Sequence, residues 1–278
     1  KLLGLDAVQL AQAFGLAGTQ ASGLTDVLGT MSKPFHPGKA AMSGILAAKL
    51  ARLGFTSSSR IIEAEKGFAH ILSPERDLGR MLEGLGTDFE ILKNTYKPFA
   101  CGIVAHPSID GAIRLKKKHG FAPGEIRAVR CRVHPFVVVP MGRKNPQNGL
   151  ESKFSVYHAV AVGLVDGAAG YRQFTDERAT NPTVVGVRDR VEIQVDEAIR
   201  RDEAIVSVEL ADGRVLVEHV EHAVGSLDNP MSDDDLSAKF REMASFTLPP
   251  ERVERLLEQL WALEKVADVP ALLADMTP

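Results

Sequence analysis

Cysteines and aromatic residues are scarce in this sequence. Two cysteines, Cys101 and Cys131, one tryptophan and three tyrosines stand among 278 residues. The separation of the two cysteines matches no zinc or iron–sulfur ligand pattern, and nothing supports a disulfide between them. We therefore expect two buried free thiols, as in a protein of the reducing cytoplasm, and no metal.

Long apolar runs and an excess of one charge sign are also missing. No apolar run reaches the roughly 20 residues of a membrane span, and the opening KLLGLDAVQL lacks the cleavage site of a signal peptide. The chain begins at Lys1, without a methionine, which predicts the interior of a longer polypeptide. A net charge of −3 gives no global basic field, so general nucleic-acid binding is not expected, although a local basic pocket is compatible with it.

Three common catalytic motifs are absent as well. The sequence has no glycine-rich phosphate loop, no GxSxG elbow and no HExxH pair. Hydrophobic residues make up 45% of the chain, which is enough for a sizeable core in one large domain or two. The totals describe an ordinary globular protein whose chemistry must come from less common motifs.

Helical patterns occupy both ends of the chain. Residues 5–28 predict a helix pair capped by Asp6, residues 38–53 a small-residue helix buried in a bundle, and Ser57 to Ser59 the start of another helix. Helices return after residue 231, where Ser232 and Asp235 have capping-box spacing.

The middle of the chain mixes helices and strands. A helix ends at Gly120, a strand follows over residues 125–140, an amphipathic helix ends at Gly167, and three further strands end in a hairpin. The expected fold is mainly α with an α+β insert. Residues 1–98 and 225–278 form an all-helical bundle domain, which a smaller α+β domain at residues 99–224 interrupts.

The segment MSKPFHPGKAAMSG, residues 31–44, concentrates positive charge at a helix start. Lys33 precedes a proline, which disfavours the helical conformation at that position. Backbone amides at the helix start, together with Lys33, His36 and Lys39, make a positive pocket for a carboxylate or phosphate. The alternative is a solvated loop whose lysines lie on the surface.

A second segment, NTYKPFACGIVAHPSID at residues 94–110, repeats the Lys-Pro and His-Pro pairs. Lys97 lies where the helical part meets the insert and is a candidate for an interdomain cleft, with a surface role equally compatible. His106 begins a helix, and a hydrogen bond at the helix start is favoured over a catalytic role for it.

The remaining histidines and lysines have simpler interpretations. Tyr157 and His158 lie in an apolar helix, where a lone histidine is more often a core residue than a catalyst. The LKKK run ending at Lys118 indicates a solvated helix face. His219 and His222 have no cysteine or carboxylate pattern of a metal site and are treated as surface residues.

Five ordered segments resemble the MmgE/PrpD family. They are LGLAGTQASGL, GTMSKPFHPGKAAMSGILAAKLARLGFT, YKPFACGIVAHPSIDGAI, KFSVYHAVAVGLVDG and NPMSDDDLSAKF. The resemblance covers essentially the whole chain. It implies a helical domain with an α+β lid, a homodimer formed through the helical domain, and cofactor-independent chemistry on small polycarboxylic acids, as in 2-methylcitrate dehydratases, cis-aconitate decarboxylases and an iminodisuccinate epimerase.

The resemblance also implies roles for individual residues. It puts Lys33 and Lys97 in the active-site cleft, where they are expected to clamp a polyanionic substrate from two sides, and it makes His158 a third catalytic candidate. Candidates for substrate binding are His36, Lys39, His106 and Tyr157, of which His36 and Lys39 fall in a variable block.

The expected activity is that of a lyase or isomerase, with a 2-methylcitrate dehydratase-like hydro-lyase foremost and a decarboxylase or epimerase as alternatives. Family members carry an earlier helical stretch with catalytic aspartate and histidines that this chain lacks, which predicts a fragment of a larger enzyme, with a truncated and inactive relative as the alternative. The rival interpretation is a non-catalytic dimeric carboxylate-binding or scaffold protein. A phosphate-ester enzyme is disfavoured by the missing phosphate loop.

Overall fold

The computed structural model describes residues 2–277 and divides the chain into two compact units, Lys1–Lys93 and Asn94–Pro278. The predicted helical domain begins at Lys1 and ends at Pro278, and these two residues lie outside the described part of the chain. The first unit is helical, with α1 (Ala7–Gly18), α2 (Ser32–Arg52) and α3 (Phe68–Leu72). Asp6 caps α1 as predicted, because its carboxylate accepts from the Gln9 amide at 2.8 Å.

Helix α2 begins earlier than the sequence predicts. It includes Lys33, which the proline rule places outside the helix, and it continues through Pro34 and Pro37. Pro34 lies in the first turn, where an amide has no carbonyl partner inside the helix, so its missing N–H costs no helical hydrogen bond. Pro37 removes one such bond.

The helix predicted after Ser57–Ser59 is absent over residues 57–67. Turns occupy this stretch, and only the short α3 follows. The Ser57 amide donates instead to the Gln12 side chain of α1, and the Gly67 amide closes a turn on the Ala64 carbonyl at 2.7 Å. The serines therefore fasten this segment to α1 instead of starting a helix.

The second unit contains nine helices and four strands among its described residues. In chain order they are α4 (His106–His119), β1 (Ile126–Val133), α5 (Val138–Met141), α6 (Gly149–Ser152), α7 (Val156–Asp166), α8 (Asp176–Ala179), α9 (Pro182–Arg188), β2 (Val191–Val195), β3 (Ala204–Leu210), β4 (Val215–Val220), α10 (Asp233–Ala244), α11 (Pro250–Trp261) and α12 (Val269–Asp275). The expected class, mainly α with an α+β insert, is confirmed.

The four strands form one mixed sheet in the order β2-β1-β3-β4. Strands β1 and β2 are parallel, and the β3–β4 hairpin and the β1–β3 pair are antiparallel. Alternate residues of β1 face the core, while Arg127 and Arg130 on the other face lie 3.1 Å and 3.6 Å from Glu209 carboxylate oxygens. The predicted first strand is shorter than expected, because a 3-10 turn and α5 take up its second half.

Helices α4 and α7 cover the buried face of the sheet. A Cβ at Gly111 of α4 would lie 2.9 Å from Val206 Cγ2 in β3, and one at Gly163 of α7 would lie 3.0 Å from the Ala112 Cβ. Both glycines therefore permit a close approach that a larger residue would prevent. Cys101 and Cys131 lie in this core as free thiols, as predicted.

The end of the chain has a small core of its own. Leu248, Val253, Leu256 and Leu272 bring α11 and α12 together. Ser232 and Asp235 cap α10 reciprocally, as their spacing predicts. No helix in the described part of the chain is both long and apolar enough to cross a bilayer.

The chain passes the same place when it enters and leaves the α+β part. Gly225 has a φ of +88°, and a Cβ there would overlap the Tyr96 carbonyl and lie 2.7 Å from Pro98 Cδ. Only glycine combines this left-handed conformation with so close an approach. The domain limits at residues 98/99 and 224/225 stay a prediction.

Candidate active site

The first candidate segment forms the opening turns of α2. Lys33 is exposed in the first turn, and its amide donates to the Thr30 carbonyl at 3.2 Å. The amides of a first helical turn lack partners inside the helix and carry partial positive charge. The Ser32 and Lys33 amides already donate to Thr30 and Pro34 has no amide hydrogen, so the charge that this end of α2 offers an anion is that of the Lys33 ammonium group.

His36 and Lys39 have neighbours within the same unit. The half-buried His36 lies against Gly23, where a Cβ would be 3.2 Å from Nδ1. Lys39 donates from Nζ to the Gln20 carbonyl at 2.8 Å and borders an apolar cavity of about 460 Å³. This contact ties α2 to the end of α1, and the substrate-binding roles of both residues stay predictions.

In the second unit, three lysines meet at the segment between Lys97 and His106. Lys97 donates from Nζ to the Cys101 carbonyl at 3.3 Å, and Lys239 of α10 donates to the Lys97 carbonyl at 2.6 Å. The Lys153 carbonyl, just after α6, accepts from the Gly102 amide at 3.3 Å. Lys97 is exposed, and Lys153 and Lys239 are half-buried.

Burial and the nearby ammonium groups both shift pKa values in this segment, and burial has the larger effect. Burial raises the pKa of the Cys101 thiol to about 12, with Lys97 and Lys153 acting in the opposite direction. Burial also lowers the pKa of His106 to about 4, assisted by Lys97 and Lys239 and opposed by a backbone hydrogen bond to Cys101. A thiol and a neutral imidazole are therefore present at pH 7 beside a cluster of positive charge.

His106 is enclosed at the start of α4. Its side chain is nearly buried and packs edge-on against Phe99, with ring centroids 5.2 Å apart. Its Nε2 has no hydrogen-bond partner among the described residues. A buried nitrogen without a partner is costly, so this imidazole has the capacity to accept or donate one further hydrogen bond.

The lowered pKa of His106 predicts a loss of stability in acid. The unfolded chain takes up a proton near pH 6.5, whereas folded His106 stays neutral down to about 4. The free energy of unfolding should therefore fall as the pH drops through this window, by about 3 kcal/mol for this residue. The pH dependence of the free energy of unfolding is measured by denaturant unfolding of wild type and His106→Gln between pH 7 and pH 4.

A matched control lies at the other end of the same helix. His119 is exposed in the last turn of α4, so His119→Gln should keep the wild-type slope while His106→Gln flattens it. Equal slopes in wild type and His106→Gln would contradict the assignment.

His158 and Tyr157 lie on α7 at different depths. His158 is completely buried, its Nε2 lies 2.8 Å from the Gln173 carbonyl, and burial lowers its pKa. Tyr157 is half-buried, with Lys144 Nζ 6.0 Å from its ring centroid. These contacts fit the core interpretation of His158, and the catalytic role of His158 and the binding role of Tyr157 stay predictions.

Lys153 and Lys239 were not among the candidates from sequence. Each lies inside a segment that carries the family resemblance, KFSVYHAVAVGLVDG and NPMSDDDLSAKF. Only the fold brings them to Lys97, since Lys239 is 142 residues away along the chain. The only sequence feature that could have identified Lys153 and Lys239 is that each is a basic residue within a segment that resembles the family.

Comparisons with known proteins agree with the fold. Residues 1–81 match the MmgE/PrpD N-terminal domain and residues 99–264 the MmgE/PrpD C-terminal domain. Cis-aconitate decarboxylase of Mus musculus is 26% identical over 288 residues, covering 98% of this chain and 58% of that protein. Cis-aconitate decarboxylase of Aspergillus terreus (strain NIH 2624 / FGSC A1156) is 25% identical over 297 residues. That match covers 98% of this chain and 60% of that protein.

The chain thus spans 58% to 60% of the length of these curated relatives. The two domain matches follow each other in chain order, and the C-terminal match alone covers more than half of the residues. The match limits, 81 and 99, bracket the segment that carries Lys97. The resemblance inferred from the five motifs is confirmed: the chain belongs to the MmgE/PrpD family.

Proposed function

We propose that this protein is a cofactor-independent lyase that acts on a small di- or tricarboxylic acid. The observation that carries the proposal is the meeting of Lys97, Lys153 and Lys239 at one segment of the second unit. A multiply charged carboxylate is costly to remove from water unless cations and donors replace its hydration. The ammonium groups of Lys97 and Lys239 act on the neutral imidazole of His106, and those of Lys97 and Lys153 act on Cys101, so this segment offers both cations and a hydrogen-bonding group.

The proposed reaction breaks a bond next to a carboxylate. In decarboxylation the electron pair of the departing CO₂ stays on carbon until a proton arrives, and in dehydration a base removes a proton before hydroxide leaves. Both paths pass through negative charge that fixed ammonium groups stabilise. The names of the curated relatives favour loss of CO₂, whereas the family resemblance of the motifs favours loss of water.

The proposed roles follow from the charge of each side chain: the charged lysines bind anions, and the neutral histidine forms hydrogen bonds. Lys97, and in the first unit Lys33, are proposed to bind carboxylates and stabilise the developing negative charge. His106 enters as a neutral imidazole, because burial lowers its pKa to about 4. It is suited to hydrogen bonding through Nε2, and it carries no positive charge at pH 7.

A panel of acids followed by NMR tests this function. We expect the full-length protein, purified without added metal or cofactor, to convert one of cis-aconitate, citrate and 2-methylcitrate. Release of ¹³CO₂ from labelled acid identifies a decarboxylase, and appearance or loss of a vinylic proton without CO₂ identifies a hydro-lyase. If tricarboxylates raise Tm and no acid in the panel is consumed, the non-catalytic carboxylate-binding alternative is favoured and the proposal fails.

The proposal includes a homodimer formed through the helical unit. Phe14, Phe35 and Ile45 of this unit are each more than half exposed. Apolar side chains in such number favour association. The homodimer and the cytoplasmic location are predictions from the sequence and its resemblance.

A further inference from the structure

Three side chains that commonly bind metals converge where the sheet ends. Asp202 lies in the turn before β3, His222 lies just after β4, and Asp228 follows in the next loop. One donor atom from each lies within 4.8 Å of the other two. The sequence pattern around His222 predicts a surface residue, because its carboxylate neighbours reach it only through the fold.

The two carboxylates approach the same ring nitrogen. His222 Nδ1 lies 3.0 Å from Asp202 Oδ2 and 3.5 Å from Asp228 Oδ2. A tetrahedral ion about 2.0–2.2 Å from each ligand requires donor atoms roughly 3.3–3.6 Å apart. The His222–Asp228 separation therefore matches a metal site, the His222–Asp202 separation is shorter because the two are hydrogen-bonded, and the two carboxylates lie within 4.8 Å of each other.

The charge of the cluster also favours a divalent cation. A ring nitrogen carries at most one hydrogen, so His222 Nδ1 can donate to only one of the two carboxylates that approach it. Arg200 Nε lies 3.5 Å from the other oxygen of Asp202, Oδ1. Arg200 also lies 3.4 Å from Glu203 Oε2 and donates to the Glu221 carbonyl at 3.0 Å, so it is shared among several acceptors.

Hydrogen bonds outside the cluster hold the backbone that carries these groups. Asn229 donates from Nδ2 to the His222 carbonyl at 3.1 Å, and its own carbonyl accepts from the Gly225 amide at 2.8 Å. The loop from His222 to Asn229 is thereby closed on itself. A preorganised loop reduces the ordering that binding a metal requires.

We propose that Asp202, His222 and Asp228 bind one divalent transition-metal ion and that Zn²⁺ fits them best. One imidazole nitrogen and two carboxylate oxygens are ligands that Zn²⁺ accepts, and the exposed position leaves a fourth place for water. The ion ties the turn before β3 to the loop that leads into α10. It is a structural clamp, remote in role from the chemistry proposed for the lysines.

Calorimetric titration of tag-free protein with ZnCl₂ tests the clamp. We expect one Zn²⁺ per chain and a rise in Tm that EDTA reverses, because a metal that binds only the folded state stabilises it. His222→Ala should weaken binding at least 10-fold and remove the Tm shift. Asp228→Asn, at an exposed position where the fold is insensitive to substitution, should do the same.

His219→Ala is the matched control. His219 Nε2 lies 2.7 Å from a single carboxylate, that of Glu203, at a nearby position of the same strand end. This variant should keep wild-type stoichiometry and affinity. Binding of less than one ion per chain, or wild-type affinity in either His222→Ala or Asp228→Asn, would overturn the proposal. None of these readouts depends on enzymatic activity.

Discussion

Lys97→Met should turn over the proposed acid at least 100-fold more slowly than wild type. Removal of one preorganised donor to developing negative charge typically costs about 10²–10³ in kcat. Methionine keeps the apolar stem and removes only the ammonium group, which donates to the Cys101 carbonyl at 3.3 Å. Since Lys97 is exposed, the free energy of unfolding should change by less than about 1 kcal/mol. Steady-state kinetics and denaturant unfolding measure the two effects separately.

Lys118→Met is the control for this loss. Lys118 is exposed in the last turn of α4, so the variant removes the same charge from the same unit without touching the lysine cluster. Its kcat should stay within about twofold of wild type. Wild-type kcat in Lys97→Met would remove Lys97 from the mechanism, and an equal loss in both variants would assign the effect to net charge.

Lys33→Met should produce a second large loss, again of about 10²–10³ in kcat. Lys33 is exposed in the first turn of α2, where its ammonium group supplies the charge that this end of the helix offers an anion. The fold does not depend on it, so Tm should be within a few degrees of wild type. The measurement is kcat and KM on the acid that the NMR panel identifies.

The same helix offers the matched control for Lys33. Lys49 is exposed in the last turn of α2, at the opposite end. Lys49→Met should leave kcat unchanged and cost only the small stabilisation of a cation at a helix C-terminus, about 0.3–1 kcal/mol. If Lys33→Met keeps wild-type turnover, the sequence-based assignment of Lys33 to catalysis is wrong.

Local signals predicted much of the second unit. Gly120 adopts the left-handed conformation that ends α4, with a φ of +66°. The alternation in β1, the hairpin turn at Gly213 and the cap at Ser232 all occur where the pattern indicates. In each case a few adjacent residues decide the conformation, so the sequence contains the relevant information.

Where distant contacts decide, the local signals failed. Ser57 has the character of an N-cap, but its amide bonds to Gln12 of α1 instead. Helix propensities and N-cap preferences contribute free energies of a fraction of a kcal/mol to a few kcal/mol, and tertiary contacts can outweigh them.

The site was predictable only in part for the same reason. Lys97 stood out because it recurs in a Lys-Pro pair within a resembling segment. Lys239 has no such mark, and its bond to the Lys97 carbonyl spans 142 positions of sequence. His222 meets Asp202 only when the β3–β4 hairpin returns the chain to its starting edge. Amino-acid composition and motif spacing do not predict contacts between residues so far apart in the sequence.

The contact of Gly225 with Tyr96 and Pro98 has an evolutionary meaning. A chain segment whose two ends lie in contact can be lengthened or shortened, or replaced by another, without separating the residues that flank it. The entropy cost of closing such a segment rises only slowly with its length. The segment between Pro98 and Gly225 can therefore change in length without separating the residues that flank it, provided that a glycine is kept at position 225.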